Sequence, residues 1–243
     1  MQYNWNWGVL FQEPYYGWLL SGLRWTVLVT LGAWTIALML GTAVGIARTW
    51  PNRAVRTLGA AYVEIFRNVP VLLQLFLWFY VLPELVPDGL GRWLKRDLPL
   101  PEFWTAVLCL GFYAASRVAE QVRSGIEALS RGQLQAALAS GLTLPQAYRL
   151  VLLPIGFRLI VPPLTSEFLS IVRTSSVALT IGLLELTAQS RQIENYTFQG
   201  FESFAAATAL YFGIALAATL LMHLIERRTA IAGMVGKGSL GGV

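Results

Sequence analysis

The sequence predicts an all-α integral membrane protein, and three observations predict it. Hydrophobic residues make up 56% of the 243 residues and charged residues only 13%, against about 25% charged in an ordinary soluble domain. Several stretches run uncharged for about the 20 residues needed to cross a hydrocarbon core of about 30 Å. Arginines gather at the ends of these stretches. That placement follows the positive-inside rule and makes the net charge of +5 a matter of membrane orientation, not of nucleic-acid binding.

Taken in order, the elements are five spans and one structured inner loop, in a single domain covering residues 1–243. Residues 1–16 carry Trp5, Trp7, Tyr15 and Tyr16, which suit a membrane interface. They lack the basic start, short apolar core and cleavage site of a signal peptide. Residues 19–47 form the first span, in which Gly32, Gly41 and Gly45 offer a close helix-contact face. Arg48, Arg53 and Arg56 follow without an acidic residue, which puts this loop in the cytoplasm and the N-terminus outside. Residues 58–82 form the second span, with Glu64, Arg67, Asn68 and Pro70 in its first half and Gln74 beyond them. Glu64 and Arg67 are three apart and can pair on one helix face.

Residues 83–101 read as an external loop of mixed charge, and residues 103–123 as the third span, where Arg117 and Glu120 again stand three apart. Residues 127–158 form the cytoplasmic loop, flanked and crossed by Arg123, Arg131, Arg149 and Arg158. Within it, Gln135, Ala136 and Ala137 open a slim water-facing helix. Gly141 permits a tight bend into a second helix at little steric cost, and Pro154 stops or kinks that helix at the membrane. Residues 160–184 form the fourth span, opened by Pro162 and Pro163 as first-turn prolines. Glu167 and Arg173 lie six apart in it, too far round the helix to pair with each other. Residues 186–201 read as an external polar loop. Residues 204–225 form the fifth span, which Glu226, Arg227 and Arg228 end in the cytoplasm. The Gly-rich stretch after Ile231 reads as a disordered tail.

The residue inventory excludes several classes. Cys109 is the only cysteine and His223 the only histidine, so no disulfide framework and no HExxH, GxSxG or metal cluster can be built. GxxxxGK[ST] is absent as well, so the chain does not bind ATP in the P-loop manner.

Four stretches then resemble one family. Residues 135–154, QAALASGLTLPQAYRLVLLP, match the EAA loop of ATP-binding-cassette (ABC) importer permeases: Glu-Ala-Ala, three residues, Gly, nine residues, an aliphatic, one residue, Leu-Pro. The departure is Gln135, where the family has Glu. Residues 64–76, EIFRNVPVLLQLF, resemble the E-F-R-G-T-P signature of polar amino acid permeases, departing at Asn68 and Val69. Residues 119–137, and Arg173 to Gly182 with Arg for the family's Lys, resemble two further signatures of the same group. The opening YNWNWGVLF and the stretch SSVALTIGLLELT resemble the glutamate/aspartate-type permeases within it.

The resemblance implies the type I ABC importer permease fold and a place in the bacterial inner membrane. It implies translocation of a polar amino acid, glutamate or aspartate, delivered by a soluble binding protein. The implied partners are an ABC ATPase dimer and a second permease, identical or a paralogue, with membrane lipid around them. ATP and Mg are bound by the ATPase and no cofactor by this chain. Gln135, Ala136, Ala137, Gly141, Leu142 and Thr143 become the ATPase-coupling residues.

For the substrate, charges crossing the bilayer must be met by protein groups. The intramembrane candidates are Arg173, Glu167, Glu64 and Arg67, with Gln74, Ser175 and Ser176. Arg173 has the fork that suits a carboxylate; its other reading is a structural pair with Glu64. An ATPase-independent channel or secondary transporter is the alternative function, and it leaves the 135–154 pattern unexplained. An integral membrane enzyme is the remaining class, and it lacks clustered acid-base groups.

Overall fold

The computed structural model describes residues 3–129 and 131–229, so the glycine-rich tail expected after Ile231 lies outside the described residues. Every regular element among them is helical. A 3₁₀ turn at Trp7–Phe11 precedes α1 (Tyr15–Thr49), α2 (Arg53–Asn68), α3 (Val71–Leu85), α4 (Asp88–Asp97) and α5 (Pro101–Glu127). There follow α6 (Arg131–Ala139), α7 (Leu144–Ile181), α8 (Leu186–Thr197) and α9 (Gly200–Thr229). By length and composition, α1, α7 and α9 can each cross a membrane, and up to five spans result if α2 with α3, and α4 with α5, each count as one bent span.

Glycine sets how closely α1 and α5 approach. A methyl group at Gly41 would stand 2.7 Å from Val118, and one at Gly45 would stand 2.6 Å from Val122. From the other side, one at Gly111 would meet Ile36 at 2.8 Å. Gly32 faces Val107 in the same seam, so the glycine face expected of the first span is the face that packs. Without a Cβ the backbones come near enough for dispersion contacts along the whole crossing. The buried residues Val29, Ala33, Ala37, Leu110, Val118 and Val122 fill it. Gly125 and Gly156 repeat the device where α5 crosses α7.

Several local expectations are corrected. The stretch expected as one span, residues 58–82, breaks at Val69 and Pro70: α2 and α3 are bent by 101°. Pro70 drives Val69 into extended backbone, with φ −91° and ψ 129°. The freed carbonyls are then met by a buried side chain, since Gln74 Nε2 donates to Phe66 O and Val69 O, both at 2.8 Å. The expected loop at 83–101 holds α4, bent by 111° from α5.

Pro162 and Pro163 do not open the fourth span. They lie inside a helix that already runs from Leu153, Pro162 exposed and Pro163 half-buried, and the helix continues through them despite two lost donors. Pro154 does not stop its helix; α7 runs through it, with a π turn at Tyr148–Leu152 just before the proline. The expected polar loop at 186–201 contains α8. Glu185 caps that helix, accepting from Thr187 N and Ala188 N at 3.0 and 2.9 Å.

Candidate functional site

Polar residues on α5 recur at Tyr113, Arg117, Glu120 and Gln121, a spacing that puts them on one helix face. The opposite face, with Ala114, Ala115, Val118 and Val122, is buried against α1 and its neighbours. The polar face opens into a cleft of about 410 Å³, which Arg67 from α2 and Glu167 from α7 complete. Three helices thus contribute four charged groups to one space.

Two ion-pair systems organise the cleft. Arg117 Nε lies 2.8 Å from Glu167 Oε2; Glu167 is buried, while the Arg117 side chain keeps 37% of its exposure. Removing Arg117 would leave the buried Glu167 carboxylate without its guanidinium, at a cost reduced by the solvent that reaches Arg117. Glu120 is the second centre. Arg48 at the end of α1 pairs with it, Arg123 Nε lies 3.0 Å away, and Arg67 Nη1 lies 3.9 Å away. Arg123 also pairs with Glu127. Glu120 therefore gathers guanidinium groups from α1, α2 and α5 at one rim of the cleft.

The residues expected from the sequence divide around this cleft. Arg67 and Glu167 line it. Glu64 does not; it is exposed and accepts from Asn68 Nδ2 at 2.8 Å, so the expected Glu64–Arg67 pair is absent. The pairing of Arg117 with Glu120 suggested by their spacing is absent too, because each finds a partner on another helix. Arg173 is exposed and makes no ion pair among the described residues, so its structural pairing with Glu64 is not formed. Ser175 and Ser176 spend their hydroxyls on Val172 O and Arg173 O, at 2.7 and 2.8 Å. Gln74 serves the α2–α3 break.

Sequence reasoning passed over Tyr113, Arg117, Glu120 and Gln121 as site residues. Their shared polar stripe within an apolar span was the available signal.

The loop segment forms a helix, a turn and a helix. At the end of α6, Gly141 N donates to Leu138 O at 3.0 Å and Leu142 N to Ala137 O at 3.2 Å. This is a Schellman cap, and Gly141 takes the left-handed conformation it demands, at φ 84°. Thr143 then donates through N and Oγ1 to Gln146 Oε1, at 2.8 and 2.9 Å, fixing the start of α7. Gln135, Ala136, Gly141 and Thr143 are exposed, Leu142 is half-buried, and Ala137 is turned into the protein.

Residues 19–231 match the family described as binding-protein-dependent transport system inner membrane component. Over 244 residues, 97% of this chain and 99% of the relative, the sequence is 46% identical to the glutamate/aspartate import permease protein GltJ of Escherichia coli strain K12. It is 32% identical to the glutamate/aspartate import permease protein GltK of Escherichia coli O6:H1, over 94% of this chain and all of the relative. Among solved structures, an amino acid ABC transporter crystallised with histidines matches with a TM-score of 0.75 and 29% identity, covering 94% of this chain and all of that one. An inward-facing MetNI methionine ABC transporter shares the fold at a TM-score of 0.73 and 22% identity, over 90% of this chain and all of that one.

Proposed function

This chain belongs to the family of binding-protein-dependent transport system inner membrane components, and from that premise we propose that it is the permease subunit that carries glutamate and aspartate inward in an ATP-driven importer. The observation that carries this reading is the end-to-end similarity to GltJ, at 46% identity. The cleft supplies chemistry that fits. A dicarboxylic amino acid brings two carboxylates and one ammonium group. Arg117, engaged with Glu167 through Nε, still has Nη donors for a carboxylate. Arg67 offers a second guanidinium, and Glu167 and Glu120 offer counter-charges for the ammonium group. Arg173, exposed one turn and a half beyond Glu167, is kept as a candidate that a second permease subunit completes.

The rest of the assembly follows the same premise. The chain crosses the membrane five times, N-terminus outside and C-terminus in the cytoplasm, with α2–α3 and α4–α5 as bent spans. A second permease subunit, an ATPase dimer that binds ATP and Mg, and a soluble binding protein complete it. The permease is not itself catalytic. Gln135, Ala136, Gly141, Leu142 and Thr143 form the face that docks on the ATPase, with Ala137 packing behind them. Gln135 brings neutral hydrogen bonds where a glutamate would bring charge-assisted ones.

The test is reconstitution of the permeases, ATPase and binding protein in vesicles. Labelled glutamate and aspartate should enter only with ATP, and vanadate should stop them. Uptake without the ATPase would overturn this function in favour of a channel or secondary transporter.

A further inference from the structure

Tyr148 sits at the seam between the proposed docking segment and the membrane helices. It is buried, it opens the π turn of α7, and it lies five residues beyond Thr143. Its Oη donates to Thr49 O at 2.9 Å and lies 3.2 Å from Thr49 Oγ1. Its ring packs on Trp50, with centroids 5.1 Å apart. Thr49 is the last residue of α1, and the residue before it, Arg48, is the one that pairs with Glu120 on the cleft rim. Glu120 in turn stands beside Arg67. A contiguous set of contacts therefore runs from the docking segment to the cleft: Tyr148, the end of α1, Arg48, Glu120.

Two further features suit this path to movement. Tyr148 and Arg48 border an inner cleft of about 490 Å³, lined also by Arg56, Glu127 and Leu134, which leaves α6 room to swing against the end of α1. The π turn that begins with Tyr148 is a local departure from α geometry of the kind that takes up helix displacement.

We propose that Tyr148 is a positioning residue for transport: through its hydrogen bond to the Thr49 carbonyl it couples displacement of the docking segment to the Arg48–Glu120 pair, and so to the width of the charged cleft. The proposal rests on the transport reading above. A network of this kind is established by coupling measurements, not by proximity, so the test measures coupling.

The experiment uses the complete reconstituted importer and reads glutamate taken up per ATP hydrolysed. Tyr148→Phe keeps the ring on Trp50 and removes only the O–H. The ratio should fall about fivefold, the weight of one neutral hydrogen bond. Arg48→Gln cuts the same path one step further on and should lower the ratio as well. The double variant should fall no further than the worse single one, since both cut a single path. A merely structural Tyr148 would change the amount of assembled complex and leave the ratio alone. An unchanged ratio in Tyr148→Phe, or independent losses that multiply in the double, would overturn the proposal. Failure of the transport reading shows differently, as absence of ATP-dependent glutamate uptake in the unmodified importer.

Discussion

Glu167 and Glu185 are both buried carboxylates on an apolar chain, and the chain treats them in opposite ways. Glu167 faces a cleft and is held by one guanidinium, Arg117, from another helix. Glu185 is fully buried and is held by neutral donors: Thr187 N, Ala188 N and the Tyr211 hydroxyl at 2.6 Å. Glu202, also fully buried, follows the second pattern, accepting from Asn6 N at 2.7 Å and from the Tyr3 hydroxyl. Backbone amides fix Glu185 to the start of α8 and Asn6 N fixes Glu202 to the N-terminal segment, while the Tyr211 hydroxyl joins Glu185 to α9. A long arginine beside an open cleft can exchange one carboxylate for another. The difference teaches where to look for substrate: at acids whose partners are mobile cations, not at acids locked by the backbone.

The contrast is broken most directly at Arg117. Arg117→Ala takes away both the partner of Glu167 and a guanidinium open to the cleft, and should strongly lower glutamate uptake in vesicles. Arg117→Leu combined with Glu167→Leu removes both charges and should restore assembly without restoring uptake. Recovery of uptake in the double variant would reduce the pair to a packing element.

Glu185→Ala probes the other side of the comparison. It removes a helix cap, about 1 kcal/mol, and takes one of the two partners of the Tyr211 hydroxyl, which keeps Thr187 Oγ1 at 3.1 Å. The detergent-solubilised complex should unfold at a lower temperature while its preference among amino acids stays the same. A changed preference would mean that the locked acids also read substrate.

Gly141→Asp sharpens the comparison from the cytoplasmic side. The left-handed backbone at φ 84° is strained for any L side chain, by about 1–2 kcal/mol, and the new side chain lies on the docking face. Membrane insertion should be normal, and coupled uptake should fall because a charged side chain now stands on the docking face. Unimpaired uptake would remove α6 from the coupling path.

The smallest expected effect is one of pH. Burial pushes the Glu185 carboxyl up, against the pull of its hydrogen-bond donors. A folded-state value above the unfolded one gives stability that is complete below the ordinary value of 4.5 and lost as pH rises through the folded value. The unfolding midpoint of the wild type should therefore drop, relative to Glu185→Gln, as pH is raised from 4.5. A gap that stays constant with pH would show that the donors cancel the effect of burial, and one that changes in the opposite direction would show that they outweigh it.

How far the sequence could be read depended on the range of the interaction. Hydrophobic runs, the Gly32–Gly41–Gly45 face and the turn at Gly141 are properties of single segments, and they were legible. Ion pairs were not. Helix spacing suggested Glu64 with Arg67 and Arg117 with Glu120, yet Arg117 chose Glu167, 50 positions away, and Glu120 chose Arg48, 72 positions away. Those choices are made when glycines bring α1, α5 and α7 together, and no local rule contains that distance. The two prolines at Pro162 and Pro163 misled as well. Their place in the helix depends on where it starts, and it starts nine residues earlier, at Leu153.

The glycine seam between α1 and α5 has a kinematic consequence. With backbones this close, and with Val118 and Val122 seated over Gly41 and Gly45, neither helix can slide or roll on the other without collision. The pair is stiff along that seam, and the end of α1 at Arg48 and Thr49 lies beyond it. Rearrangement of the helices around the seam is articulated most easily at the breaks outside it: at Val69 and Pro70, at Gly141, and at Gly182, where the backbone again turns left-handed. Three joints around one stiff seam leave the machine few degrees of freedom, and the cleft lies between the seam and the joints.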